Sequence, residues 1–126
     1  MLITLNLDSD IPIYQQIRDA IVAFIAQGKL REGDSLPSVR QLAVDIGVNM
    51  HTVNKAYALL KSDGYLTIGR RSGAKISQKL QLDDAVRVRI TENLSAAALE
   101  AYSRGMIKTE FLLLCESLFD QLKEEA

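Results

Sequence analysis

Two apolar quartets flanking a glycine constrain this chain more than any other feature in it. Val39, Leu42, Ala43 and Ile46 fall at i, i+3, i+4 and i+7, which lines one face of a helix, and Val53, Ala56, Tyr57 and Leu60 repeat that spacing. Gly47 stands between them, where a left-handed backbone costs a glycine little. Ser38, with Gln41 three residues on, reads as a capping box opening the first helix, and Asn49 as the N-cap of the second. Two short helices therefore meet at a tight corner, as in a helix-turn-helix.

The second helix turns His51, Asn54, Lys55, Ala58 and Ser62 away from its apolar stripe. A merely solvated face usually carries several Lys and Glu. This one offers hydrogen-bonding groups near its N-terminal end, the end that helix-turn-helix proteins insert into the major groove. After Asp63-Gly64, the alternation in Tyr65–Ile68 predicts a strand, and Ala74–Ser77 predicts a second. Gly69-Arg70-Arg71-Ser72-Gly73 between them is a glycine-flanked turn with arginines at its tip, a wing suited to phosphates or a minor groove.

Upstream, Pro12 precedes an apolar stripe of Ile13, Ile17, Ile21, Phe24 and Ile25 that stops before Gly28, which predicts a core-facing helix. Ile3, Leu5 and Leu7 alternate with polar residues, so the first residues should form an edge strand or an extended segment laid on the domain. From about Asp83 the pattern is helical again, with Val86, Ile90, Leu94, Ala97 and Ala101 on one face. A break at Ser103-Arg104-Gly105 follows, then Ile107, Phe111, Leu114, Cys115, Leu118 and Leu122. A two-helix hairpin of this size has little core of its own, and pairing with a second copy is the simplest way to cover both stripes. The expected fold class is α+β and mostly helical: residues 1–79 a winged helix-turn-helix DNA-binding domain, residues 80–126 a short C-terminal helical hairpin that dimerises.

The segments LPSVRQLA, GVNMHTVNKAY, LLKSDGYL and RRSGAKI, in this order and spacing and with PIYQQIRDAI upstream, resemble the GntR-type winged-helix transcription regulators, most of all their YtrA-type subgroup. The resemblance covers roughly residues 7–77. It implies DNA contacts at Arg40 in the first helix, at Asn49, Thr52, Asn54 and Lys55 around the recognition helix, and at Arg70, Arg71 and Gly73 in the wing. Ser38 and His51, at the helix starts, complete the set of DNA-binding candidates. Many family members carry basic residues where this chain has Met50, His51 and Asn54, so the operator of a better-known relative is not to be assumed for it. The resemblance further implies a repressor acting as a homodimer on an inverted repeat, usually of a membrane-transporter operon.

Charge distribution agrees with a nucleic-acid partner although the total is only -1. Residues 29–79 hold nine basic side chains against four acidic ones, and the rest of the chain six against twelve. No apolar run would span a bilayer and no leader pattern opens the chain, which predicts a cytoplasmic protein with no membrane partner. Cys115 is the only cysteine and His51 the only histidine, so neither a disulfide nor a zinc site is expected. No nucleophile, acid-base pair or phosphate loop assembles, so the chain is not expected to be an enzyme or to hold a cofactor. Some members of the wider family append an aminotransferase-like domain, for which this chain is too short. A small-molecule effector is compatible with the tail, which cannot enclose a large pocket by itself. The rival reading is a winged-helix protein-interaction module without DNA binding, against which the wing arginines and the Asn54-Lys55 face argue.

Overall fold

Pro12, with φ fixed near the helical value, sits at the N-cap of α1 (Ile13–Ala26). This helix buries Ile17 and Ile21 completely, while Ile13, Phe24 and Ile25 are half-buried along the same stripe. Helices α2 (Val39–Ile46) and α3 (Met50–Ser62) follow, then strands β1 (Leu66–Gly69) and β2 (Gly73–Ile76), and finally α4 (Asp84–Ser103) and α5 (Lys108–Glu125). The computed structural model describes residues 1–125. One compact unit spans Met1–Leu80 and a second begins at Gln81.

In the first unit α3 packs against α1, α2 and β1. Its inward face, Val53, Ala56, Tyr57 and Leu60, joins Ile17 and Ile21 of α1, Leu42 and Ala43 of α2, and Leu66, Ala74 and Ile76 of the hairpin in one core. The corner forms as expected: Gly47 is left-handed at φ 69°, and Asn49 caps α3 by accepting from the His51 amide at 2.7 Å. Half of the capping box at α2 forms. Ser38 Oγ accepts from the Gln41 amide at 3.0 Å, but the Gln41 side chain does not reach back; it donates to Asp45 Oδ1 at 2.6 Å, one turn further along.

Both strands lie one residue away from their predicted frames. Tyr65 donates its amide to Leu60 at 2.8 Å and so closes α3 in a Schellman turn, while its carbonyl accepts from Ser77 at 2.9 Å just beyond the ladder. Antiparallel pairing then runs from Leu66 opposite Ile76 to Gly69 opposite Gly73, and the wing glycines are strand ends. The other edge of β2 is also occupied, because residues 33–36 bond to Ala74 and Ile76 through Gly33, Asp34 and Leu36. The N-terminal arm is extended without entering a sheet. Ile3 and Leu5 pack on the core, and the Gln16 amide bonds both the N–H (2.8 Å) and the C=O (2.9 Å) of Asn6 in place of a neighbouring strand.

In the second unit Asp83 caps α4 by accepting from Val86 at 2.9 Å, and Gly105 turns the chain into α5. No residue of α4 is buried, and Leu99, Tyr102 and Phe119 are 73%, 84% and 71% exposed. Burial is partial, at Val86 and Arg89 in the first turns of α4 and at Ala101, Met106, Phe111 and Cys115 around the corner. Among the described residues no helix is long and apolar enough to cross a membrane.

The core of the first unit contains a phenol. Tyr57, 2% exposed, donates its hydroxyl to the Pro37 carbonyl at 2.7 Å, tying α3 to the segment that leads into α2. Burial pushes its pKa up to about 12. From about pH 10 to about 12 the unfolded chain therefore ionises this phenol while the folded chain keeps it neutral, so stability falls as pH rises through that window. Tyr57→Phe should cost about 1 to 2 kcal/mol at neutral pH, because the Pro37 carbonyl loses its donor. Urea unfolding at several pH values should show the gap between the two proteins closing across the alkaline window.

Candidate nucleic-acid interface

The core-facing quartet of α3 leaves His51, Asn54, Lys55, Ala58 and Ser62 exposed on its other side. At about 100° per residue, His51, Lys55, Ala58 and Ser62 leave α3 along the middle of that face, with Asn54 on one flank. Thr52 lies towards the other flank and is half-buried. The structure thus places four of the five recognition-helix candidates at the surface, with Thr52 at the margin and Asn49 just ahead of the first turn. Asn49 uses its Oδ1 for the helix cap, and among the described residues its Nδ2 hydrogens have no partner, which leaves them for a ligand. Ser38 is in the same position at α2, since its oxygen caps the helix and its hydroxyl hydrogen stays available.

Arg40 is exposed on α2, and Arg70 and Arg71 are exposed with Ser72 at the tip of the hairpin. None of the three has a carboxylate within ion-pair distance among the described residues, in contrast to Arg18, which pairs with Asp19 and Asp63. Free guanidinium groups on exposed elements are ready-made phosphate ligands. Gly73 ends the tip with φ at 70°, and a Cβ there would meet nothing within 4 Å. The constraint at this position is therefore the left-handed backbone and not space, and a side chain would strain the return of the wing.

Two features of this surface have no signature in the sequence. The Lys55 ammonium sits 4.0 Å from the centroid of the Tyr14 ring on α1. Arg18 of α1 reaches Asp63 at 3.3 Å and Asp19 at 3.1 Å, with its guanidinium 5.7 Å from the Tyr65 ring centroid, which braces α1 against the junction of α3 and the wing. Both join residues more than forty positions apart, beyond the reach of any local spacing rule. No three His, Cys, Asp or Glu side chains come together as a metal site among the described residues.

A family model described as bacterial regulatory proteins, gntR family, matches residues 13–76, from the first residue of α1 to the last of β2. The HTH-type transcriptional repressor YtrA of Bacillus subtilis (strain 168) is 36% identical over 100 residues, which is 78% of this chain and 77% of the relative. Among solved structures, a protein of Listeria monocytogenes EGD-e described as a transcriptional antiterminator is similar with TM-score 0.89 at 27% identity, over 97% of this chain and 92% of that one. The DNA-binding domain of AraR, solved in complex with operator ORX1, is similar with TM-score 0.53 at 29% identity, over 59% of this chain and 92% of that one. With the helix-turn-helix and the wing both inside the matched span, the chain belongs to the GntR family of bacterial regulatory proteins, which are DNA-binding regulators of transcription and not enzymes.

Proposed function

We propose that this chain is a cytoplasmic transcriptional repressor that binds an inverted-repeat operator as a symmetric homodimer, with α3 of each protomer in the major groove and the wing against the DNA backbone. The observation that carries the reading is the set of free guanidinium groups at Arg40, Arg70 and Arg71, on elements adjoining an α3 face that is polar but hardly charged. In this reading Ser38, Arg40, Lys55, Arg70 and Arg71 hold phosphates, and the Asn49 amide joins them at the start of α3. The Asn54 amide makes a bidentate contact to adenine, Thr52 offers a methyl to thymine, and His51 reaches a base edge from the first turn. Gly73 keeps the wing tip turned back on itself. Similarity to a relative named as a repressor, and to a domain solved on its operator, supports the assignment.

The tail supports the dimer. Leu99, Tyr102, Leu112, Leu113 and Phe119 leave far more apolar surface in water than a lone helical pair keeps stable, and a second copy would cover it. Occlusion of a promoter follows naturally from such a dimer, and an effector or other signal that changed its geometry would relieve it. The YtrA-type resemblance points to a transporter operon as the target.

Two tests address this reading. A chain ending at Leu80 should sediment as a monomer and lose most of its affinity for an operator duplex, because one module touches only one half-site; a truncated protein that stayed dimeric would remove the tail from its role. Arg71→Ala should weaken binding to specific and random DNA alike and flatten the slope of log K against log salt by about 1 for each phosphate that is no longer neutralised. Asn54→Ala should leave that slope nearly unchanged and remove about 1 to 3 kcal/mol of discrimination at one base position per half-site. Isotherms on both duplexes across a salt series read both variants.

A further inference from the structure

The contact between Lys55 and Tyr14 joins α1 to the outer face of α3. At 4.0 Å from the ring centroid, the ammonium is well inside the range in which the negative face of an aromatic ring attracts a cation. The ring itself is anchored: Tyr14 is half-buried in the first turn of α1 and packs on the core. Lys55 is exposed and makes no hydrogen bond or ion pair among the described residues. Because α1 and α3 are packed on each other, the pair spans a fixed interface.

We propose that Tyr14 is a positioning residue for DNA binding, whose ring holds the Lys55 ammonium at the edge of the recognition face while the hydrogens turned away from the ring are left for a phosphate. This rests on the DNA-binding role assigned to the outer face of α3. A phosphate fits this geometry better than a base edge. An ammonium is a compact point charge on a flexible stem, without the planar fork that reads a base pair, and its weakness as a ligand is the freedom that must be frozen when the anion arrives. An anchored ring removes part of that cost beforehand and leaves the charge in place. Two other cation–ring contacts serve differently. Arg18 over Tyr65 is already engaged by Asp19 and Asp63, and Lys29, 5.8 Å from the Phe24 centroid, lies beyond the end of α1 and outside the helix-turn-helix.

The test uses the whole 126-residue chain with two duplexes, the DNA just upstream of its own gene and a scrambled copy, each across a salt series. Tyr14→Leu should weaken binding to both duplexes about two- to five-fold and move the salt slope part of the way to that of Lys55→Met. Tyr14→Phe, which keeps the ring face, should restore what the leucine variant loses, and in a Lys55→Met background Tyr14→Leu should have no further effect. A ring that merely competes with the phosphate would instead tighten binding when removed. That outcome, independent multiplicative effects of the two substitutions, or a phenylalanine variant as weak as the leucine one, would overturn the proposal.

A measurement on the unsubstituted protein decides the point even if Tyr14→Leu folds poorly. The Lys55 ε-methylene protons should show an upfield ring-current shift in the free protein that persists on the DNA, and its disappearance on binding would mean that the ring is left behind. If Lys55→Met changes nothing while Arg71→Ala weakens binding, the role of Tyr14 falls and the DNA-binding reading stands. If neither substitution matters, both fall.

Discussion

Everything on the surface proposed to meet DNA depends on the complete removal from water of one side of α3. Val53, Ala56 and Leu60 are fully buried and Tyr57 nearly so, held between α1, α2 and the hairpin. Close packing of this kind leaves a helix no low-energy way to roll or slide, because any shift opens a void or forces an overlap. The side chains on its other face therefore inherit a fixed orientation, which hydrogen-bonded readout of base edges requires to within a fraction of an ångström. The Tyr57 hydroxyl adds a directional restraint by bonding to Pro37, so that the element carrying His51 and Asn54 and the segment ahead of Ser38 and Arg40 are set against each other.

The wing takes its position from the same helix through a single residue. Tyr65 closes α3 with its amide and accepts from Ser77 with its carbonyl, so the end of α3 and the base of the hairpin share one residue. Pairing of residues 33–36 along the outer edge of β2, and the Arg18–Asp63 contact from α1, hold that base from two further directions. Restraint ends at the tip, where Arg70 and Arg71 are exposed. A stiff base with free charged ends suits contact with a backbone whose phosphates are regularly spaced but whose groove width varies with sequence.

The two units solve the problem of burial differently. The first encloses a core made by three helices and a hairpin. The second leaves α4 without a buried residue and shields only a few side chains, each in part. Two helices cannot surround each other, and side chains on the far side of each stay in water however the pair is turned. Leu99 and Tyr102 of α4 and Phe119 of α5 are in that position, and their exposure is a property of a unit with too few elements to enclose them.

Local periodicity and local chemistry are enough to locate every helix of this protein and its helix-turn-helix corner. Gly47, Ser38 and Asn49 could be assigned their roles unseen because caps and left-handed turns are settled within a few residues, and the outward face of α3 follows from the inward one. The strand frames were legible to within one residue. The shift arose because Tyr65 serves the helix before it serves the sheet, a choice made by which acceptor lies nearer once α3 is folded. Gln41 turned away from Ser38 to Asp45, where its amide N–H meets a side-chain oxygen one turn further along at 2.6 Å. Tertiary structure alone decided the pairing of Lys55 with Tyr14, the brace from Arg18 to Asp63, the bonding of Gln16 to Asn6 and the half-burial of Thr52. Each of these depends on how separate segments pack. Sequence periodicity records which side of a segment avoids water, but it holds no information about which other segment will cover that side.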